Sequence, residues 1–125
     1  MPQAGGSFLP NETASVKGWS VQPPVVVLAV NGAIPIVGGI YRIVNVAAGA
    51  YTLRAPTAAE EGTTLFITAG TAAAHVITAT GLLQNGIVGG AKNSATTAAF
   101  VGSGIVLVAL NLQWYVQSSV AITFA

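Results

Sequence analysis

Short stretches rich in valine, isoleucine and threonine follow one another along most of the chain, and glycine-containing turns separate them. From residue 25 onwards these stretches are 25–30, 40–46, 50–55, 63–69, 74–80, 94–101, 104–110, 113–118 and 120–124. β-branched residues favour strands, and glycine pairs such as Gly38-Gly39 favour turns. Short strands at this spacing predict an all-β fold, either an antiparallel β-sandwich or a barrel-like domain. Asn31-Gly32 predicts a turn between two of these strands.

Residues 1–24 have a different pattern, in which proline and glycine alternate with isolated apolar side chains. No period of 2 or 3.6 is sustained there, so we predict an extended N-terminal arm over 1–24 and a single β domain over 25–125. The large apolar side chains of the arm are Phe8, Leu9 and Trp19. Because such side chains are costly to leave in water, we expect the arm to dock on another surface.

Charged residues are scarce throughout the sequence. The chain has four basic and three acidic residues, 53% of its residues are hydrophobic, and its mean hydropathy is +0.72. This composition excludes disorder for most of the length, and four scattered cations cannot form the basic stripe that binds nucleic acid. Most surface polarity must then come from uncharged side chains and the backbone, which favours a subunit whose faces are covered by other subunits.

The most apolar stretch, 25–41, tests the possibility of a membrane span. It contains Gly32, Pro35, Gly38 and Gly39 and is rich in valine and isoleucine, so it predicts short strands rather than a spanning helix of about 20 residues. The N-terminus has no basic region followed by an apolar one, so no signal peptide is expected. We therefore predict a protein made in the cytoplasm, with no membrane partner.

The residues offer few means of catalysis. The sequence has no cysteine, and its one histidine, His75, lies in a predicted strand and is interpreted as a packed or hydrogen-bonded residue. Glu60 and Glu61 are adjacent, but Thr57 three residues before Glu60 predicts a capping box on a short helical turn. The glycine-rich run 86–92 lacks the residues that a P-loop requires around Lys92 and is interpreted as a turn. We expect no enzymatic activity, no cofactor and no metal site.

Two strands bear on binding. The stretch 105–110 is apolar on both faces, which predicts a second packed layer or a neighbouring subunit. Trp114 and Tyr115 are consecutive on a strand and point to opposite faces, so they cannot form one platform for a sugar ring. We expect one of them to fill the core and the other to lie at an interface.

The sequence resembles small β-rich virion proteins of tailed bacteriophages over about residues 50–118, and it is most similar to head decoration (cement) proteins. The segments that carry the resemblance are LRAPTAAEEG (53–62), LFIT (65–68), AHVITA (74–79), Asn85-Gly86, TTAAF (96–100) and LVALN (107–111) before Trp114. Such proteins tend to have Asn-Gly in the turn before the tryptophan, whereas here Leu112 follows Asn111. Leucine disfavours a positive φ, which argues against a tight type I′ hairpin at this turn.

The resemblance implies a capsid decoration protein on the exterior of the virion. Decoration proteins are commonly trimers that clamp the shell where capsomers meet. We therefore expect a homotrimer that associates through Ile105, Leu107 and Leu110, and an arm that binds the major capsid protein through Phe8, Leu9 and Trp19. The alternatives are a tail-fibre or spike module that binds a glycan of the host surface and a secreted bacterial lectin-like domain, which the missing signal peptide disfavours.

Overall fold

The computed structural model describes residues 22–125, so Phe8, Leu9 and Trp19, with most of the predicted arm, lie outside the described residues. The described part contains ten strands and one turn of 3-10 helix at Ala58–Glu60. The strands are β1 Val25–Leu28, β2 Gly32–Ala33, β3 Gly39–Ile43, β4 Ala50–Thr52, β5 Thr64–Ala69, β6 Val76–Gln84, β7 Lys92–Thr97, β8 Gly104–Leu110, β9 Gln113–Val120 and β10 Ile122–Phe124.

The strands form one mixed sheet that curls into a half-barrel. Strands β1, β3 and β5 pair in parallel on one side of the molecule, and β2, β4 and β6 pair in parallel on the other. The antiparallel hairpin of β8 and β9 joins the two sides, because β8 pairs with β5 and β9 pairs with β6. Strand β7 pairs with the first half of β6 and also with Leu83 in its second half, and β10 pairs with β7.

The all-β, barrel-like class predicted from the sequence is confirmed, but the strand directions differ from the prediction. Five of the nine pairings are parallel. From β1 to β6 the chain crosses from one side of the half-barrel to the other after each strand. Each strand from β3 to β6 then pairs in parallel with the strand two places earlier in the sequence. Asn31-Gly32 is consequently not a hairpin turn, since β1 pairs with β3 rather than with β2.

The core lies between the two sides of the half-barrel. Strict alternation of buried and outward-facing side chains in β5 and β8 produces it, as expected for strands with a period of two. Trp114 is fully buried there, and its indole Nε1–H donates a hydrogen bond to the carbonyl oxygen of Arg54 at 2.9 Å. The buried apolar side chains are Ile34, Tyr41, Ile43, Tyr51, Leu53, Leu65, Ile67, Ile77, Leu83, Ile105, Leu107 and Trp114, with several alanines.

The hairpin between β8 and β9 is tight despite its leucine. Asn111 and Leu112 have φ values of +53° and +61°, and they are the two residues that separate Leu110 from Gln113. Positive φ at both central residues is the signature of a type I′ turn, whose twist matches that of the strands it joins. The expectation from the sequence that Leu112 argues against such a hairpin is therefore wrong. Tertiary pairing of β8 with β9 imposes a backbone conformation that leucine alone disfavours.

Candidate functional site

The outer surface of β1, β3, β5, β8 and β9 is mainly apolar, although Arg42, Thr64, Thr68 and Gln113 also point outward there. The strand register aligns Val25, Ile40, Phe66 and Val106 in one row across four strands. We call this surface the apolar face, and its apolar members are Val25, Val27, Ile40, Phe66, Val106, Val108, Leu110 and Tyr115. Among the described residues that point outward from these strands, Arg42 alone is charged.

The apolar face is comparable in size to the largest apolar patch of a typical monomer. Five strands spaced about 4.8 Å apart, each about six residues long, give a surface of roughly 20 Å by 20 Å, or about 400 Å². The largest apolar patch on a typical monomer measures about 300–600 Å² and is often functional. The apolar face is therefore the strongest candidate for a contact surface in the described part of the chain.

The three residues predicted for the oligomer interface do not share one surface. Ile105 and Leu107 are 3% and 0% exposed, and both pack inside the core. A side chain enclosed by its own domain cannot also contact a neighbouring subunit, so the assignment of these two residues is corrected. Leu110 is half-buried on the apolar face, and its role at an interface stays a prediction. The outward-facing neighbours of the core residues are Val106 and Val108.

Of the two aromatic residues Trp114 and Tyr115, one fills the core as the sequence predicted, and the place of the other at an interface stays a prediction. Trp114 is in the core, and Tyr115 is half-buried on the apolar face opposite Val108 of β8. The two rings therefore point to opposite sides of β9.

The opposite outer surface, formed by β4, β6, β7 and β10, carries hydroxyl groups. Thr52, Thr78 and Ser94 align across three strands, and Thr96 aligns with Thr123 on the last two. We call this surface the threonine face, with Thr52, Thr78, Thr80, Ser94, Thr96 and Thr123 as its hydroxyl members. The sequence reasoning missed it. A signal was present in β6, where Thr78 and Thr80 flank the buried Ala79 at a period of two.

Exposed apolar side chains also stand at loop tips. Val88, in the loop between β6 and β7, is 98% exposed, and Val46, between β3 and β4, is 91% exposed. Phe100 and Val101 are exposed in the loop between β7 and β8. These tips are separate from the apolar face. The glycine-rich run 86–92 forms the first of these loops, as the sequence predicted.

His75 is fully buried and lies at the point where the chain crosses between the two sides of the half-barrel. Its Nδ1 accepts a hydrogen bond from the Gly49 N–H at 2.9 Å, so the proton of the neutral ring is on Nε2. Nε2 then donates to Thr71 Oγ1 at 2.9 Å, and the Thr71 hydroxyl donates to the carbonyl oxygen of Asn45. The prediction of a packed, hydrogen-bonded histidine is confirmed.

This arrangement, which we call the His75 clasp, joins two neighbouring crossings between the sides of the half-barrel. Asn45 and Gly49 belong to the crossing from β3 to β4, and Thr71 and His75 to the crossing from β5 to β6. Burial lowers the pKa of His75 below its ordinary value of 6.5. Gly49 has no room for a side chain, since a Cβ would lie 2.6 Å from the Tyr51 ring.

The adjacent carboxylates have structural partners. Glu60 accepts a hydrogen bond from the backbone N–H of Thr57 at 2.8 Å, which confirms its predicted capping role. It also accepts two hydrogen bonds from the Arg54 guanidinium at 2.9 and 2.8 Å. These contacts lower the pKa of Glu60 to about 2, with the Arg54 hydrogen bond as the largest cause. The carboxylate of Glu61 accepts a hydrogen bond from the backbone N–H of Asn111 at 3.3 Å.

A groove opens at one corner of the apolar face, where the described chain begins. It has a volume of about 370 Å³ and lies at the N-terminal ends of β1, β3 and β5. We call it the arm-root groove, and it is lined by Gln22, Pro23, Pro24, Gly38, Gly39, Gly62, Thr63, Thr64 and Phe66. Its lining carries no charged side chain, so it suits an apolar or aromatic occupant.

The described residues support binding by apolar contact better than any other chemistry. Within residues 22–125 there is no group of three or more His, Cys, Asp or Glu residues that could hold a metal ion. No helix in that part of the chain is long and apolar enough to cross a membrane.

Comparison with known proteins identifies no relative: no protein-family model matches the chain, and no curated protein matches it.

Proposed function

We propose that this chain is a structural subunit of a tailed-phage virion that decorates and stabilises the capsid. It binds the capsid exterior as an oligomer, which we expect to be a trimer, and its N-terminal arm docks on major capsid subunits. The observation that carries the proposal is the apolar face, a continuous surface on which Arg42 is the one charged outward side chain among the described residues. The resemblance of residues 50–118 to decoration proteins supports the same reading.

Burial of the apolar face would favour association of copies. Each 100 Å² of apolar surface removed from water contributes on the order of 2.5 kcal/mol before the costs of association. A half-barrel with a continuous core supplies a rigid support for this face, so little ordering is needed on assembly.

We propose that the arm binds the capsid because its position at the edge of the sheet allows it to link the domain to another surface. It precedes β1, which is an edge strand among the described residues and pairs with β3 alone. Several arms on one oligomer bind together, and linked contacts dissociate far more slowly than single ones. Phe8, Leu9 and Trp19 are the residues proposed to make these contacts.

A binding assay with undecorated capsids tests the arm. Deletion of residues 1–20 is expected to leave a folded oligomer that no longer sediments with capsids, while the full chain does so to saturation. The matched control is Phe100→Ala, which removes an exposed aromatic ring from a loop and retains the arm. Decoration at full occupancy by the truncated chain would show that the arm is not the contact.

Immunogold electron microscopy of the particles distinguishes the two virion functions. Label spread regularly over the head is the expected result. Label at the tail tip or on fibres would instead favour the receptor-binding alternative and direct the next experiment to glycan screening. Particles without label would contradict a virion role altogether.

A further inference from the structure

We propose that the arm-root groove is the binding site for the indole ring of Trp19 of the same chain. The groove lies outside the core and takes no part in the His75 clasp or the threonine face. It opens where residue 22 enters the described fold, so the segment that leads into it is the nearest candidate occupant.

The length of the connection selects Trp19. This residue precedes Gln22 by three positions, and an extended chain advances about 3.3–3.6 Å per residue, so the two Cα atoms lie within about 10 Å of each other. Gln22 itself lines the groove. Leu9 and Phe8 precede Trp19 by ten and eleven positions, so the length of the chain does not hold them close to the groove.

The lining of the groove has the chemistry that an aromatic ring requires. Pro23, Pro24 and the half-buried ring of Phe66 offer flat apolar surfaces, and the glycines of the β2–β3 connection keep the floor free of side chains. Gly39 is needed at this point, because a Cβ there would lie 2.9 Å from the carbonyl oxygen of Pro24. A volume of about 370 Å³ accommodates an indole with part of its backbone.

Occupation by the chain's own tryptophan is favoured over occupation by a second copy. A tether of three residues holds the ring beside the groove at a high effective concentration, whereas a ring from another copy must compete from dilute solution.

Docking of Trp19 deepens the proposed capsid function. Its benefit for capsid binding rests on that function. The arm then leaves the domain from a fixed point and in a fixed direction, so less ordering is needed when Phe8 and Leu9 meet the capsid. In this scheme Trp19 anchors the arm on its own domain instead of contacting the capsid, so the proposed capsid contacts narrow to Phe8 and Leu9.

Tryptophan fluorescence of the full chain tests the site, because Trp114 is fully buried and the difference between wild type and Trp19→Phe isolates the signal of Trp19. We expect acrylamide to quench Trp19 several-fold less than it quenches N-acetyltryptophanamide. Phe66→Ala should raise this quenching at least threefold, and Phe100→Ala, the matched removal of an exposed ring, should leave it unchanged. Circular dichroism establishes that each variant is folded.

A second variant keeps the test valid if Phe66→Ala does not fold. Thr64→Lys places a long side chain at the lining of the groove without touching the core, and it should expose Trp19 in the same way. Quenching of wild-type Trp19 equal to that of the free indole would overturn the proposal, and so would unchanged quenching in both groove variants. Shielding that disappears on dilution would overturn the assignment to the same chain.

The outcomes separate this inference from the capsid function. Shielded Trp19 in a protein that decorates no capsid would support the groove site and contradict the proposed function. Exposed Trp19 in a protein whose arm decorates capsids would overturn the groove site and leave the proposed function standing.

Discussion

The two outer faces of the half-barrel are built from the same kind of strand and differ in what their outward side chains offer. On the apolar face most outward positions hold valine, isoleucine, leucine and aromatic residues, as in the row Val25, Ile40, Phe66 and Val106, with Thr64 and Thr68 of β5 among the exceptions. On the threonine face they hold hydroxyl groups, as in the row Thr52, Thr78 and Ser94. A chain with seven charged residues in 125 therefore makes one surface compatible with water by using threonine, and the other is the surface for which we propose a partner.

The difference shows how a strand face can be kept soluble without charge. Threonine is β-branched, so it suits the pleated backbone as well as valine does, and its hydroxyl group hydrogen-bonds to water. Threonine in place of valine at an outward position makes the surface more polar and has little effect on the stability of the strand. The pattern of outward side chains, rather than the fold, then determines which face associates.

The largest expected effect comes from placing a charge on each face in turn. Val108→Lys is expected to weaken self-association at least about 30-fold, because an ammonium group held against apolar partner side chains costs at least about 2 kcal/mol. Thr78→Lys, at an outward position on the threonine face, should leave association unchanged. Sedimentation equilibrium over a range of concentrations measures both variants.

Equal weakening by the two substitutions would show that the faces are not distinct. Association unaffected by either would place the contact elsewhere, and the exposed loop residues Val88 and Phe100 would be the next to test.

The His75 clasp links the crossings between the two faces, and its removal is expected to have the second-largest effect. His75→Ala leaves the buried Gly49 N–H without its acceptor, removes the partner of Thr71 and creates a cavity. We expect the free energy of unfolding to fall by about 3 kcal/mol. Thr80→Ala, at an exposed position of the adjacent strand β6, should change it by less than about 0.5 kcal/mol. Urea unfolding followed by fluorescence measures both; a small loss for His75→Ala would show that the clasp is dispensable.

Lowering the pH is expected to remove the stability that the His75 clasp contributes to the wild-type protein. The folded-state pKa of His75 lies below 6.5, so the unfolded chain takes up the proton first as the pH falls. The stability contributed by the neutral ring is complete above about pH 6.5 and is lost progressively below it. Unfolding curves between pH 7.5 and 5 should show this loss in wild type and a smaller pH dependence in His75→Ala. Identical pH dependence in the two proteins would contradict the role of the histidine.

The smallest expected effect concerns the turns that lead into each face. Leu112, in the β8–β9 hairpin of the apolar face, has a φ of +61°, and Ala121, which leads into β10 of the threonine face, has a φ of +55°. A left-handed conformation costs a residue other than glycine about 1 kcal/mol, so Leu112→Gly and Ala121→Gly should each raise the free energy of unfolding by up to that amount. Thermal unfolding measures the change. A loss of stability in Leu112→Gly would mean that the leucine side chain makes a contact worth more than the strain.

Much of the β structure could be predicted from the sequence, because its signal is local. The stretch 104–110 coincides with β8, since glycine marks its start and alternation runs through it. The partners of the strands could not be predicted. Parallel pairing of β1 with β3 depends on the chain crossing the half-barrel at Asn31-Gly32, and this dipeptide is equally suited to a hairpin.

Only part of the candidate surface could be predicted from the sequence. An apolar run such as 105–110 shows that both sides of a strand are covered, but it does not show which side faces the core. Register with β5 and β9 settles this, and it places Ile105 and Leu107 inside and Val106 and Val108 outside. Hydroxyl groups of the threonine face are far apart in sequence, at Thr52, Thr78 and Ser94, so only the pairing of three strands brings them together.

Electron cryomicroscopy of the particles that carry this chain tests the account most directly. The predicted result is density for the half-barrel on the outside of the capsid, with the apolar face against another copy and the threonine face in solvent. Density in which the threonine face makes the contacts and the apolar face is exposed to water would contradict the assignment of the two faces. Density at the tail instead of the capsid would contradict the proposed function.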